Sequence, residues 1–146
     1  MTNNYTFKIK STYTEIESLC IKINDLAQNN NFSDKIIFCL NICIEEMLTN
    51  IVKYAYDDKN EHEIEVILEI AGKIITLTIV DDGHEFNPLK AKMPDVSSDI
   101  KHRQIGGIGI FLTLKMADKV SYNRRNSKNF IKILLSSTHR SATGKK

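Results

Sequence analysis

The chain has 146 residues, 42% hydrophobic and 26% charged, the composition of one ordinary globular domain and not of a disordered or low-complexity segment. Its formal net charge of +2 gives no electrostatic case for a nucleic-acid partner. No apolar run approaches the ~20 residues that span a bilayer, and the start, MTNNYTFKIK, lacks the apolar stretch of a secretory signal, so the expected location is cytoplasmic, with no membrane partner.

Tyr5, Phe7 and Ile9 alternate with Thr6, Lys8 and Lys10, which predicts a first strand within residues 1–10. Ile16, Leu19, Cys20, Ile23, Leu26 and Ala27 then make the one-sided stripe of a helix, with Thr14 and Glu17 spaced as a capping box. Ser33 is the expected N-cap of a second helix, about Asp34 to Tyr56. Its buried stripe is Ile36, Leu40, Cys43, Ile44, Met47 and Ile51. Glu63, Glu65 and Glu69 alternate with Ile64, Val66, Leu68 and Ile70, a half-exposed strand. A turn at Ala71-Gly72 joins it to the more apolar strand KIITLTIV. Residues 87–105 are polar and aperiodic, and so long a segment in a small domain is usually functional. A third helix is expected from about Gly107 to Ala117, followed by strands VSYNRR and NFIKILL around Asn126-Ser127-Lys128. The tail, 137–146, is polar and expected to be flexible. Together these elements predict a single α+β domain over residues 1–146: a two-layer sandwich with a mixed, mainly antiparallel sheet and helices on one face.

The cysteines are Cys20, Cys39 and Cys43. An odd count without a CxxC spacing fits a reducing compartment. The histidines lie far from them in sequence, so they read as small apolar side chains on helices and not as metal ligands.

Three short patterns carry chemistry. On the second helix, Glu46, Asn50 and Lys53 fall on one stripe bordering the apolar face. A carboxylate can take a proton from a hydroxyl, an Asn oxygen can ligate Mg²⁺, and a Lys can meet phosphate as a point charge. Alone, the pattern is also that of an ordinary solvated flank. Next, Asp81 ends the apolar strand with Gly83 two residues on, then Phe86 and Pro88. Such a carboxylate can accept a hydrogen bond from an exocyclic amine, although Asp-Asp-Gly turns are routine. Last, Gly106, Gly107 and Gly109 open the third helix, where N–H groups and the helix dipole favour phosphate. Three glycines in four residues weaken a helix unless something requires them.

In this order the patterns resemble the histidine-kinase-like ATPase (Bergerat) fold of histidine kinases, gyrase, Hsp90 and MutL. Within it they are most similar to the bacterial anti-sigma-factor serine/threonine kinases. EEMLTNIVKYAY resembles that family's N box, VDDGHEFNPL its G1 box, and IGGIGIFLTLKMADKVSYNRRNSKNFIKILL its G2 box and closing hairpin. The resemblance implies ATP and Mg²⁺ as cofactors, with Glu46 as the base for a substrate serine and Asn50 as the metal ligand. It implies Asp81, with Gly83 beside it, as the reader of the adenine amine. Gly107 and Gly109 become phosphate-binding glycines, 87–105 an ATP lid and Arg103 its cation. Lys53, Phe86, Gly106 and Ile110 complete the expected nucleotide-binding set. Ile51 and Tyr54 stand where the family often has Ala and His. No phosphorylatable-His dimerisation helix or transducer domain points towards a sensor histidine kinase or a gyrase. Two functions follow. One is a kinase that phosphorylates a serine of an anti-sigma-factor antagonist. The other is a nucleotide-binding module that sequesters a sigma factor without turnover. The resemblance implies a homodimer in either case. A plain α+β scaffold is the third reading.

Overall fold

A computed structural model describes residues 2–90 and 105–136 of the chain. Strands β1 (Thr2–Lys10), β2 (Glu63–Ala71), β3 (Ile74–Asp81), β4 (Lys119–Arg125) and β5 (Lys128–Ser136) form one sheet in the order β1-β2-β3-β5-β4. Every pairing in it is antiparallel. Helices α1 (Tyr13–Asn29), α2 (Asp34–Tyr54) and α3 (Ile105–Met116) make the second layer. Of these, α2 packs against both α1 and α3.

Register determines which side chains meet the helices. Leu68 lies opposite Leu77, and Leu77 opposite Ile133, and all three are fully buried. Each such side chain contributes roughly 1.5–3 kcal/mol by leaving water. Alternate residues Glu65, Glu69, Thr76, Thr78 and Lys132 fall on the other face and stay partly or fully exposed. The helix-facing row ends in polar residues: Asp81 lies opposite Asn129, and Asn129 opposite Arg124.

Several boundaries differ from the sequence expectation. The cap of α1 is Thr12, whose side chain accepts from the Glu15 N–H at 3.3 Å. Thr12 and Glu15 repeat the Thr14–Glu17 spacing one half-turn earlier, where the chain leaves β1. Ser33 caps α2 as expected. Helix α2 stops at Tyr54 because the Ala55 carbonyl is taken by the His84 N–H at 2.9 Å. The first hairpin turns at Gly72-Lys73, with Gly72 at φ +61. Helix α3 begins at Ile105, before its glycines. All three cysteines are free and buried. Burial pushes Cys20 up to about 11 and Cys43 up to about 12, so both stay neutral thiols. No described helix is long and apolar enough to cross a membrane. Most of the expected lid, residues 91–104 including Arg103, and the expected tail, 137–146, lie outside the described residues.

The β4–β5 turn holds Asn126 at φ 53 and Ser127 at φ 61, the paired left-handed conformation of a type I′ turn. Asn tolerates it; Ser does so at a cost. Ser127→Gly is expected to raise stability by about 0.5–1 kcal/mol, read as a higher urea midpoint at unchanged m-value.

Candidate functional site

A cavity of about 110 Å³ opens where the polar end of the sheet meets the C-terminal half of α2. Met47, Asn50, Ile51 and Tyr54 line it from the helix, Asp81, Asn129 and Ile131 from the sheet, and Phe86 from the turn after β3. Its walls are mainly apolar, so a hydrogen bond made inside it is little weakened by water.

Two acidic residues line it, Asp81 and Glu85, and Asp81 is only 3% exposed. Its Oδ1 accepts from the Gly83 N–H at 2.9 Å and from Asn129 Nδ2 at 3.0 Å. No hydrogen bond falls on Oδ2 among the described residues. Burial holds the Asp81 carboxyl above its usual range, against the opposing pull of those two bonds. A desolvated carboxylate with one oxygen unengaged is a strong acceptor for a ligand N–H.

Asn129 fixes that geometry and is 2% exposed. Its Nδ2 donates to Asp81 Oδ1 and to the His84 carbonyl at 2.7 Å. Its Oδ1 accepts from the Phe86 N–H at 3.3 Å, from Arg124 Nη1 at 3.1 Å and from the Tyr122 hydroxyl. Arg124 Nη1 also donates to the Gly83 carbonyl at 2.9 Å. One carboxamide thus ties β3, β4, β5 and the turn after β3 together.

The turn is held from the helix side as well. The Tyr56 hydroxyl donates to Asp82 Oδ1 at 3.1 Å, and its ring stacks on His62 at 3.7 Å. Burial, followed by the Asp81 and Asp82 charges, pushes the Tyr56 hydroxyl up, so it remains a donor. Gly83 is pressed against Ala55: a Cβ there would lie 2.5 Å from both the Ala55 Cβ and the Ala55 carbonyl oxygen.

The sequence-predicted residues divide among several environments. Asn50, Asp81 and Phe86 line the cavity. Glu46, one turn before Asn50, lies outside it and borders a separate groove between α1 and α2. Gly109 of α3 sits directly on Glu46, where a Cβ would overlap the carboxylate. Lys53 is exposed on the last turn of α2. Gly106 and Gly107 fall in the first turn of α3, and Ile110 is buried at 5% exposure. Asn129, Arg124 and Tyr56 were not singled out from the sequence. Arg124 and Asn129 flank the β4–β5 turn and could have been paired from the hairpin alone, but their link to Asp81 needs the β3–β5 register. Among the described residues, no group of three or more His, Cys, Asp or Glu side chains is arranged to hold a metal.

The two glycines should fail differently. Gly83→Ala drives a methyl into backbone, so it is expected to cost about 1–3 kcal/mol. Gly109→Ala meets the Glu46 side chain from its carboxylate back to Cγ, with no backbone among its nearest atoms, and improves helix propensity, so it should cost less than Gly83→Ala. Urea unfolding of both variants checks this.

A profile of the histidine kinase-like ATPase domain matches residues 9–134. The serine/threonine-protein kinase BtrW of Bordetella bronchiseptica is 26% identical over 126 residues, 86% of this chain and 89% of that protein. The serine-protein kinase RsbW of Listeria monocytogenes is 30% identical over 104 residues, 68% of this chain and 66% of that protein. Among solved structures, one of the RsbU and RsbW domains of a Mycobacterium tuberculosis protein superposes with a TM-score of 0.64 at 12% identity. That likeness covers 92% of this chain and 32% of the other, and it bears on the fold alone. With the profile covering most of the chain and the sheet-end cavity in place, the protein belongs to the histidine kinase-like ATPase domain family.

Proposed function

We propose that the chain is an ATP-dependent serine protein kinase of the anti-sigma-factor type, acting on a serine of an anti-sigma-factor antagonist. One observation carries this reading. Asn50 and Glu46 are a turn apart on α2, yet Asn50 lines the cavity with Asp81 while Glu46 borders the groove outside it. Phosphoryl transfer needs this division: one group with the nucleotide and a base facing the incoming hydroxyl. The relatives named as serine or serine/threonine kinases support the same reaction class.

In this reading Asp81 accepts the exocyclic amine of adenine through Oδ2, with Phe86 and Ile51 against the ring. Gly106 and Gly107, in the first turn of α3, offer backbone N–H groups to phosphate. The donor set suits Mg²⁺ and not a metal held wholly by protein. Asn50 offers one hard oxygen near where phosphate oxygens would lie, and Mg²⁺ commonly takes one or two protein ligands with the rest from phosphate and water. Bound there, Mg²⁺ would neutralise the charge on the phosphates being separated. Glu46 takes the serine proton, held in place by α3 at Gly109. Lys53 is exposed nearby and is proposed to add positive potential at the mouth of the cavity.

Phosphorylation adds close to two negative charges to the antagonist and would release it from its complex. A sigma factor as the second partner, a cytoplasmic location and a homodimer belong to the same proposal. For the dimer, the half-buried side chains Ile67, Phe130 and Leu134 on the outer face of the sheet offer an apolar surface.

Two substitutions separate the kinase from a binding module. Glu46→Gln should leave Mg·ATP binding nearly intact while slowing phosphoryl transfer by roughly 10²–10⁴-fold. Asn50→Ala should weaken ATP binding in Mg²⁺, and that defect should shrink in EDTA. Calorimetry and phosphoserine mass spectrometry read the two effects. Wild-type protein that binds ATP and partner but transfers no phosphate would establish the sequestering module instead.

A further inference from the structure

The groove between α1 and α2 is larger than the cavity beside Asp81, about 570 Å³, and only its Glu46 edge belongs to the proposed catalytic centre. Its rim carries three large apolar side chains in water: Tyr13 at 54% exposure, Ile21 at 60% and Phe38 at 57%. Such a cluster on two adjacent helices marks an interaction surface. Its charged side chains are all acidic. Glu17, Glu45 and Glu46 line it and make no ion pair among the described residues. Asn24 and Asn41 also line it, with their Oδ1 atoms shut off from solvent and without a hydrogen-bond donor among the described residues. The Thr49 hydroxyl already donates to the Glu45 carbonyl at 2.7 Å.

This combination selects an occupant. Unpaired carboxylates beside an apolar rim favour a cation that is also partly desolvated. The negative potential is felt inside the groove, where the Glu45 and Glu17 charges add to burial in raising the Cys20 thiol. A lipid surface supplies few N–H donors and is commonly anionic, so a polypeptide fits better. We propose that this groove docks the protein segment carrying the phosphoacceptor hydroxyl, and that it selects segments with apolar and basic side chains near that hydroxyl. The inference rests on the kinase reading of Glu46 and deepens it. A segment lying between α1 and α2 reaches the Glu46 edge of the groove, while Asn50 lines the separate cavity, so acceptor and nucleotide enter by two openings.

The test uses the full chain loaded with Mg·ADP and two short fluorescein-labelled serine peptides. One has Leu and Arg beside the serine; in the other Glu replaces Arg. Anisotropy should show the Arg peptide binding roughly tenfold or more tighter, the scale of one good charged contact. Ile21→Ser/Phe38→Ser should lose that binding by a similar factor with ADP affinity unchanged by calorimetry. Glu17→Lys/Glu45→Lys should invert the preference between peptides. The inference is overturned if neither peptide binds, or if both bind wild type and variants alike. It is also overturned if Ile21→Ser/Phe38→Ser turns a dimer into a monomer by sedimentation, which would make the groove a self-association face. Selective binding of the Arg peptide without phosphate transfer from Mg·ATP would sustain the docking groove and remove the kinase reading.

Discussion

A carboxylate taken out of water at the end of a β-strand is the constraint on which this site depends. Asp81 ends β3 on the helix-facing side of the sheet, where its neighbours along the strand are Ile79 and Leu77. A charge there is costly unless donors surround it. Asn129 and the Gly83 N–H supply two, both on one oxygen. Asn129 can do so only because β5 pairs with β3 in a register that sets it opposite Asp81. It is itself held by Tyr122 and Arg124 from β4. The closing hairpin therefore does more than extend the sheet: it presents Asp81 with its second oxygen free for a ligand.

Helix α2 is the other organising element, because four positions within about one turn serve different ends. Met47 and Leu48 are buried in the core, Asn50 lines the cavity, and Glu46 borders the groove. Two of its neighbours meet it, or its C-cap, through a glycine. Gly83 lets the turn after β3 close on Ala55, and Gly109 lets α3 close on Glu46. In the proposed kinase the helix itself would hold nucleotide and acceptor chemistry a helical turn apart, a stiffer spacer than any loop.

The fold was legible in the sequence wherever periodicity reflects burial. The stripes of α1 and α2 are buried nearly as expected, and the alternation in β2 and β3 gave the correct inner face. Ends were less legible, since they depend on contacts distant in sequence: α2 stops where His84 captures Ala55. Asp81 and Asn50 were recognisable as polar residues beside apolar patterns, and the structure brings them to one cavity. Asn129 was invisible because its role is set by register. Gly109 was visible as an anomaly in a helix, but its contact with Glu46 arises only when α3 packs on α2.

Calorimetric titration of Asp81→Asn with ADP, alongside its thermal unfolding, tests the central claim most directly. The substituted amide keeps an oxygen for Asn129 and Gly83 but turns an NH₂ towards the cavity, donor against donor. Because the native carboxyl is held above its usual range by burial, it favours the folded state at acid pH. That contribution fades as pH rises through its folded pKa, so at neutral pH the wild type carries a buried charge that the variant lacks. The account predicts unfolding at an equal or higher temperature at neutral pH. It predicts ADP affinity lower by about 2–3 kcal/mol, roughly 30- to 160-fold. A folded Asp81→Asn protein that binds ADP as tightly as wild type would contradict it.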